Sequence, residues 1–282
     1  METKKKIWLI TGVSRGLGKA LAEAALLRGD TVIGTTRGGE ADIKQTRGKL
    51  HLFQLDVTDR EQVFSTVKKA YELYWRLDVV VNNAGSGLLG AMEETTPEEF
   101  HRVMDVNFFG TVHVIQAALP ILRAQHSGHI VNLSSIAGLA PIGGYAFYAA
   151  AKFAVEGISA AVAHEVRDLG IKVTIVEPGA FRTDFLTDSS IMYTTETIDD
   201  YADSVGQFRS YAEKMDGKQP GDPEMAAQAM IEAIDSDSPP LHLVLGTDAY
   251  NRASENAAAF TKELDKWKRL TLSTDYARLV AR

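Results

Sequence analysis

Short apolar runs alternate with amphipathic stretches along most of the chain. The apolar runs predict buried strands at residues 7–10, 31–35, 50–55, 77–81, 129–133 and 172–176. The intervening stretches, such as the alanine-rich one that ends near Arg28 and residues 59–74, are typical of helices. Strands that alternate with helices predict an α/β fold, a doubly wound parallel sheet of about seven strands with helices on both faces.

The first predicted strand runs directly into a glycine-rich turn and then a helix. The turn reads T-G-V-S-R-G-L-G from Thr11 to Gly18, with G-x-x-x-G-x-G spacing rather than the more familiar G-x-G-x-x-G. Glycines let the backbone approach a pyrophosphate closely, and a helix N-terminus offers unpaired N–H groups. The turn therefore predicts a Rossmann-like dinucleotide site with contacts from Gly12, Ser14, Arg15, Gly16, Leu17 and Gly18.

The same turn contains a second motif. Gly12 to Gly16 matches the G-x-S-x-G nucleophile elbow of hydrolases, with Ser14 as the candidate nucleophile. An elbow serine needs an oxyanion loop from an earlier strand, and only about one strand precedes Ser14. The hydrolase alternative is therefore the weaker interpretation.

Polar and small residues also follow the other predicted strands, at the carboxyl ends where ligands bind in a doubly wound sheet. The further contacts expected at this rim are Arg37, Asp56, Val57, Asn83, Ala84, Gly85, Ser135, Pro178 and Gly179. Asp56 is a plausible adenine contact and equally a cap for the helix that follows it. The amide and small residues at 82–85 suit a flat ring, although a turn also explains them.

The end of the second predicted strand favours NADP(H) over NAD(H). A site selective for NAD usually places an acid here to bind the ribose 2′-hydroxyl, whereas this chain has Thr36 followed by Arg37. Together with Arg15, this makes two guanidinium groups able to reach a 2′-phosphate. A solvated loop charge is the alternative interpretation of Arg37.

Tyr148 and Lys152 form the candidate catalytic pair. Four residues apart on an expected helix, their side chains lie on one face. A partly desolvated ammonium favours the phenolate, so we expect Lys152 to lower the pKa of Tyr148 from about 10. Such a phenol exchanges a proton with a carbonyl or alcohol oxygen, and Ser135 is placed to bind the same oxygen. A lone Tyr-x-x-x-Lys is otherwise read as a half-buried aromatic and a surface lysine.

Composition narrows the function further. The 282 residues are 45% hydrophobic with a net charge of −7, which argues against nucleic acid or an anionic membrane as the main partner. No cysteine is present, which excludes disulfides, thiolate nucleophiles and Cys-ligated zinc. No stretch approaches the roughly 20 apolar residues of a membrane span, and we expect a cytoplasmic protein. No metal site is expected, because His126 and His129 flank a Ser-Gly turn and such histidines are usually solvent-facing.

Taken together, the motifs resemble the short-chain dehydrogenase/reductase family in its shorter, single-domain form. The matching pieces are T-G-x-x-x-G-x-G from Thr11, N-N-A-G from Asn82, Asn107, Ser135, Y-x-x-x-K at Tyr148 and Lys152, and P-G-x-x-x-T from Pro178 to Thr183. The resemblance covers roughly residues 5 to 250. It implies hydride transfer between a nicotinamide cofactor, here NADP(H), and a carbonyl or secondary alcohol.

The resemblance also implies a role for each catalytic candidate. Tyr148 is the general acid or base, Ser135 orients the substrate oxygen, and Lys152 binds the nicotinamide ribose and lowers the pKa of the tyrosine. Asn107 anchors a water that relays protons to the lysine, although a helix kink with a structural hydrogen bond also explains this asparagine. Thr183 touches the nicotinamide carboxamide. An NADP(H)-binding sensor without turnover is the alternative, and the intact catalytic residues argue against it.

The rest of the chain is expected to complete a single domain over residues 1–282. Residues 184–220 predict a substrate lid, and 246–282 a C-terminal extension. Aromatic and apolar residues in the lid either line a largely apolar substrate pocket or pack the lid onto the body; they are Phe185, Met192, Tyr193, Tyr201, Phe208 and Tyr211. Small residues at helical spacing, Ala150, Ala154, Gly157 and Ala161, together with the resemblance, imply a homodimer or homotetramer; packing within one chain is the alternative.

Overall fold

The sheet expected from the apolar runs forms the centre of the computed structural model, which describes residues 5–44, 47–187 and 190–276. The strands of the described residues are β1 (Ile7–Thr11), β2 (Thr31–Thr36), β3 (Lys49–Gln54), β4 (Val79–Asn82), β5 (Gly87–Leu89), β6 (Gly128–Leu133), β7 (Ile171–Pro178), β8 (Ile191–Tyr193) and β9 (His242–Leu245). Seven of them form one parallel sheet in the order β3-β2-β1-β4-β6-β7-β9, and β5 pairs with β8 separately. The chain reverses its direction of travel across the sheet between β1 and β4, the position at which doubly wound sheets bind ligands.

Helices cover both faces of this sheet and make it a three-layer fold. The helices of the described residues are α1 (Gly16–Leu27), α2 (Arg60–Glu72), α3 (Pro97–Met104), α4 (Gly110–Gln125), α5 (Ala146–Val166), α6 (Val205–Met215), α7 (Pro223–Asp235) and α8 (Thr247–Leu272). Apolar side chains of α2, α4 and α5 pack on one face, and those of α1 and α7 on the other. Because both faces are covered, β1 is buried along its whole length, as expected of a continuous apolar run. The doubly wound α/β fold is confirmed.

The expected strand bounds agree with the structure to within two residues at each end. The seventh strand of the sheet is β9, which the apolar runs did not predict because it is short and lies at the edge. Asp59 rather than Asp56 caps α2, since its side chain accepts a hydrogen bond from the Gln62 N–H at 3.0 Å. Asp56 instead accepts bonds from the backbone and hydroxyl of Thr58, at 2.9 and 2.8 Å.

The helical pattern that begins at Pro97 continues to Gln125 but contains one wider turn. Thr96 and Glu99 form a capping box at the start of α3, which fixes where the helix begins. Between α3 and α4, residues Asp105–Phe109 form a π-helical turn, and Asn107 lies at its centre. Such turns occur frequently at functional sites.

The region expected to be a lid, 184–220, is more ordered than its weak periodicity indicated. It contains β8, which pairs with β5, and the helix α6. Arg209 on α6 donates from Nη2 to Glu94 at 2.6 Å, and only 2% of the Glu94 side chain is exposed. Residues 188–189 of the expected lid lie outside the described residues.

The expected C-terminal extension, 246–282, is largely one long helix, α8. Its first turns are attached to the body through buried Ala249 and through Arg252, which donates to the carbonyl of Ala140. Asn256 donates to the carbonyl of Leu139 at 2.9 Å. Residues 277–282 lie outside the described residues.

Two helical stretches of the described chain are long and apolar enough to cross a membrane by composition alone, contrary to the sequence expectation. They are Pro97–Gln125 and Ala146–Leu169, and 44% of each apolar window is buried inside the protein. Both contribute side chains to the apolar layer on the sheet. Their apolar character therefore matches the needs of helices that cover a buried sheet.

Candidate active site

A large cleft of about 1190 Å³ opens where the sheet strands end. Residues predicted from the sequence line it together, namely Gly12, Ser14, Arg15, Gly16, Leu17, Arg37, Asp56, Val57, Asn83, Ala84, Gly85, Asn107, Ser135, Tyr148, Lys152, Pro178, Gly179 and Thr183. Gly18 differs, because it is buried behind the wall, where an added Cβ would collide with the Asn83 amide. The structure thus assigns Gly18 to packing beneath the cleft.

The glycine turn has the backbone that an anion site requires. Gly12 and Gly16 have φ of +73° and +60°, which other residues adopt only with strain. A Cβ on Gly12 would also lie 2.9 Å from the Cα of Ala84. The N-cap of α1, Arg15, makes no side-chain capping bond, so no side-chain cap uses the N–H groups of the first turn. A helix start of this kind suits a phosphate group.

Asn83 and Thr11 join the ends of β1 and β4 at the switch point. The Asn83 side-chain amide donates to the carbonyls of Thr11 and Gly12, at 2.9 and 2.8 Å. The Thr11 hydroxyl in turn accepts from the N–H groups of Asn83 and Ala84, at 3.0 and 3.1 Å. Asn83 therefore shapes the floor of the cleft. Sequence reasoning missed Thr11, although it opens the glycine motif.

Arg15 and Arg37 line the same part of the cleft, beyond β1 and β2. Arg37 is exposed, whereas Thr36 before it is buried and donates from its hydroxyl to the carbonyl of Glu40 at 3.1 Å. The Thr36 side chain is thus held by its own loop. The charged side chains at this wall are therefore two arginines, whereas a site selective for NAD usually has an acid at the end of the second strand.

Tyr148, Ser135 and Lys152 meet beyond β6. Tyr148 is 7% exposed, and its ring lies against Phe185 with 5.8 Å between centroids. Ser135 accepts from the Ala137 N–H at 3.1 Å, which holds it at the start of a short 3₁₀ turn, and its hydroxyl is near enough to the phenol to lower the pKa of Tyr148 in part. Lys152 is buried, with its Nζ 5.7 Å from the centroid of the tyrosine ring.

The pKa of Tyr148 moves in the direction opposite to the sequence expectation. Burial raises it to about 12, and the Ser135 hydroxyl offsets only part of this. The Lys152 ammonium donates to the Leu133 carbonyl at 2.8 Å, and burial lowers its own pKa to about 8. Desolvation disfavours the charged forms of both side chains, and the sequence expectation did not include it. The role of Lys152 in lowering the pKa of the phenol stays a prediction.

Asn107 is fully engaged by the backbone around it. Its Nδ2 donates to the carbonyls of Ser86 and Val103, at 2.8 and 2.9 Å, and its Oδ1 accepts from the Ser86 N–H at 3.2 Å. A Cβ on Gly85 would lie 2.7 Å from that Oδ1 and 3.7 Å from Lys152 Nζ. Asn107 thus stands close to the lysine across a glycine that has no side chain to separate them.

The lid aromatics divide between the two roles considered for them. Phe185, Met192, Phe208 and Tyr211 line the cleft. Tyr193 and Tyr201 instead pack in the apolar cluster beneath the lid, and the Tyr201 hydroxyl donates to Glu93 at 2.8 Å. The cleft next to Tyr148 is therefore largely apolar on its lid side.

His129 is buried, although its position beside a Ser-Gly turn predicted a solvent-facing side chain. It is 4% exposed, and its Nε2 lies 2.9 Å from the Thr174 hydroxyl. Burial lowers its pKa to about 4. His129 is thus a core histidine rather than a solvent-facing one.

Comparison with protein families and known proteins identifies the chain. The model of the family described as short chain dehydrogenase matches residues 6–193. The oxidoreductase BOA17 of Botryotinia fuckeliana is 40% identical over 273 residues, which is 95% of this chain and 99% of that protein.

Two solved structures extend the similarity to the fold. A short-chain dehydrogenase from Streptomyces avermitilis superposes with a TM-score of 0.88 at 40% identity, covering 98% of this chain and 100% of that one. An alcohol dehydrogenase from Thermococcus sibiricus, complexed with 5-hydroxy-NADP, has a TM-score of 0.69 at 25% identity and covers 86% of this chain and 96% of that one. The chain therefore belongs to the short-chain dehydrogenase family of oxidoreductases, which act with nicotinamide nucleotides.

Proposed function

We propose that the chain is an NADP(H)-dependent enzyme of the carbonyl-reductase type. It transfers a hydride between the cofactor and a carbonyl or secondary alcohol of a largely apolar small molecule. The observation that carries the proposal is the meeting of Tyr148, Ser135 and Lys152 on the wall of the cleft that Arg15 and Arg37 also line. Three strand spacings separate β6 from β2, about 14 Å, which suits an extended dinucleotide.

The cleft fits this cofactor in three places. The glycine turn and the start of α1 would hold the pyrophosphate, and Arg15 and Arg37 would bind the 2′-phosphate. Gly85, Lys152 and Thr183 would contact the nicotinamide half. All three line the cleft: Gly85 follows β4, Lys152 lies on α5, and Thr183 follows β7. When bound, the nicotinamide supplies or accepts the hydride.

The chain itself supplies the proton. With a pKa near 12, the Tyr148 phenol is protonated at neutral pH and ready to donate to a carbonyl oxygen that gains negative charge. Ser135 is near enough to the phenol to affect its pKa, and in this proposal its hydroxyl donates to the same oxygen. Lys152 holds positive charge behind the phenol, and Phe185, Met192 and Phe208 exclude water on the lid side.

The test of this proposal is Tyr148→Phe, which keeps the ring and removes the proton donor. NADPH oxidation would be measured against a panel of ketones and aldehydes, with NADPH affinity measured separately by fluorescence. We expect kcat to fall by about 100-fold or more with NADPH affinity within about twofold of wild type. Wild-type turnover retained by the variant would refute the role of Tyr148. NADPH binding without turnover of any panel member would instead support the sensor alternative.

Cofactor selectivity is tested by Arg37→Asp. The change replaces a cation suited to a 2′-phosphate with an acid suited to a 2′-hydroxyl. We expect the preference for NADPH over NADH in kcat/KM to fall by about 10-fold or more, since a hydrogen bond between charged groups contributes about 1.5–3 kcal/mol. Exposed Arg182, which does not line the cleft, provides the control variant Arg182→Asp. Equal ratios in wild type and Arg37→Asp would refute the assignment.

We also propose that the enzyme is a homodimer or homotetramer that pairs through α5. Three members of the small-residue stripe, Ala150, Gly157 and Ala161, are exposed, and 46% of Phe153 beside them is exposed as well. These side chains form a flat face that a second helix can approach closely. Residues 184–220 act as the substrate lid in this proposal.

A further inference from the structure

Two buried carboxylates and a histidine converge behind the catalytic lysine, outside the cleft. Glu156 lies one helical turn after Lys152 on α5, Glu177 lies near the end of β7, and His242 begins the edge strand β9. One ligand atom from each residue lies within 4.8 Å of the others. His242 Nδ1 is 2.7 Å from Glu177 Oε1 and 3.6 Å from Glu156 Oε2. The three residues are distant in sequence, so their spacing gave no metal motif.

Within the described residues, three of the four oxygens of the two carboxylates have no hydrogen-bond partner, and only Glu177 Oε1 has one, in His242. Glu177 is fully buried and Glu156 is 8% exposed. The lone pairs of these unpartnered oxygens are available to a positively charged ligand.

We propose that Glu156, Glu177 and His242 form a binding site for a divalent cation of the zinc type. Zinc accepts nitrogen and oxygen ligands at about 2.0–2.2 Å in tetrahedral geometry, which sets its ligand atoms about 3.4 Å apart. The two distances from His242 Nδ1 bracket that separation.

His242 is the one of the three residues that is open to solvent. The His242 side chain is 47% exposed at the edge of the sheet, which gives an ion a route from solvent. The absence of cysteine leaves histidine and carboxylates as the strong zinc ligands of this chain.

The test is calorimetric titration of the full chain with Zn²⁺ after treatment with EDTA. We expect one strong site per chain, weakened about 100-fold or more in His242→Asn. The control is His126→Asn, which removes an exposed histidine from a left-handed position that asparagine tolerates, and which should leave the affinity within about twofold. Glu177→Gln should abolish the strong site if it folds, and His242→Asn carries the test if it does not.

Absence of binding to wild type, or equal binding by His242→Asn, would overturn the proposal. Binding lost equally in His126→Asn would identify adventitious surface zinc and overturn it as well. Because the readout is metal binding, it does not depend on NADPH turnover.

A separate observation concerns α8. From Ala257 to Leu272 every residue is exposed, so about 24 Å of helix extends beyond Asn256, the last residue that is attached to the body by a hydrogen bond described above. Apolar side chains recur along this segment, with Phe260 61%, Leu264 50% and Trp267 51% exposed. Their spacing alternates between three and four residues, and Tyr250, Ala253, Ala257 and Thr271 extend the same series. This is the heptad pattern of a helix that packs against another helix.

We infer that α8 pairs with α8 of a second copy of this chain as a parallel coiled coil. With Leu264 at an a position, Glu263 occupies g and Lys268 the following e position. In a parallel pair the g side chain of one helix meets the e side chain five residues on in its partner. Glu263 and Lys268 are therefore complementary across the interface, twice by symmetry.

Because the chain has no cysteine, single introduced cysteines test this pairing directly. Thr271→Cys, at an a position, should give a disulfide-linked dimer under mild oxidation, whereas Lys266→Cys on the outer face should not. In an Ala154→Arg background, which removes pairing through α5, Leu264→Lys should at least halve the fraction of pairs in sedimentation, and Lys266→Ala should not. Failure of Thr271→Cys to cross-link, or equal cross-linking of both cysteine variants, would overturn the parallel pairing.

Discussion

The ion pair beneath the lid offers a sharp test of how the lid is held. Glu94 Oε2 is 2.6 Å from Arg209 Nη2, and its two oxygens also accept from the N–H groups of Ile198 and Ala91, both at 2.8 Å. The two side chains are only 2% and 19% exposed. Glu94→Gln keeps the shape and leaves the Arg209 charge without its partner.

The expected loss follows from burial. Removing one member of a buried pair costs about 3–5 kcal/mol, and the partial exposure of Arg209 favours the lower end. A loss of about 3 kcal/mol raises the opening equilibrium of the lid by about 100-fold. Hydrogen exchange followed by mass spectrometry on peptides from 191–215 should report this directly, with β6 peptides as the reference for global unfolding.

The matched control is Glu93→Gln. Among the residues that the structure describes, Glu93 accepts only from the Tyr201 hydroxyl, at 2.8 Å and in an exposed position, so the change should alter lid exchange by about fivefold or less. The same protection in Glu94→Gln as in Glu93→Gln would refute the argument, as would an equal loss in β6.

Wild type should show a related effect in acid. Burial raises the pKa of Glu94, but the hydrogen bonds from Ile198 and Ala91 and the Arg209 charge outweigh it, so the pKa lies below 4.5. The stabilisation is therefore present above pH 4.5 and is lost as the pH falls through the lowered value. Lid exchange, corrected for the intrinsic rate, should accelerate there, and Glu94→Gln should remove this acid response.

Three further outcomes are expected. His129 has a pKa lowered to about 4, so its contribution of about 3 kcal/mol should be lost between pH 6.5 and 4, and urea unfolding of His129→Gln should have a shallower pH dependence in that range. Asn83→Ala strands the carbonyls of Thr11 and Gly12 and should lower the free energy of urea unfolding by about 1–3 kcal/mol; an unchanged midpoint would contradict the switch-point bonds. Ala154→Arg should shift the sedimentation mass toward the monomer if α5 forms an interface, and an unchanged mass would rule that interface out.

The fold was largely predictable because burial imposes a simple pattern. Strands covered on both faces become continuous apolar runs, and their ends agree with the structure to within two residues. The edge strand β9 was not predicted, because it has only four residues and begins with exposed His242. Helix α6 was not predicted, because Tyr211 is exposed and the polar Arg209 is partly buried, so its apolar residues do not follow a clear helical period.

The sequence predicted which residues line the cleft, but it did not predict how burial changes their pKa values. The motif residues meet because strand ends share one rim, which the order of the motifs already indicates. Desolvation depends on what surrounds a group, so the sequence could not reveal that burial raises the pKa of Tyr148. The pairing of Glu94 with Arg209, 115 positions apart, likewise depends on how the lid folds back over the body.

The wide turn at Asp105–Phe109 makes this stretch intolerant of a change in length. A residue advances a helix by about 100°, so deleting one to restore a regular α-helix would rotate everything after it by that angle. The buried side chains of α4 would then no longer face the core; they include Val114, Ala118 and Leu122. Asn107 would also lose its hydrogen bond to the Ser86 carbonyl. Length variation among relatives should therefore spare these five positions and fall in the loops.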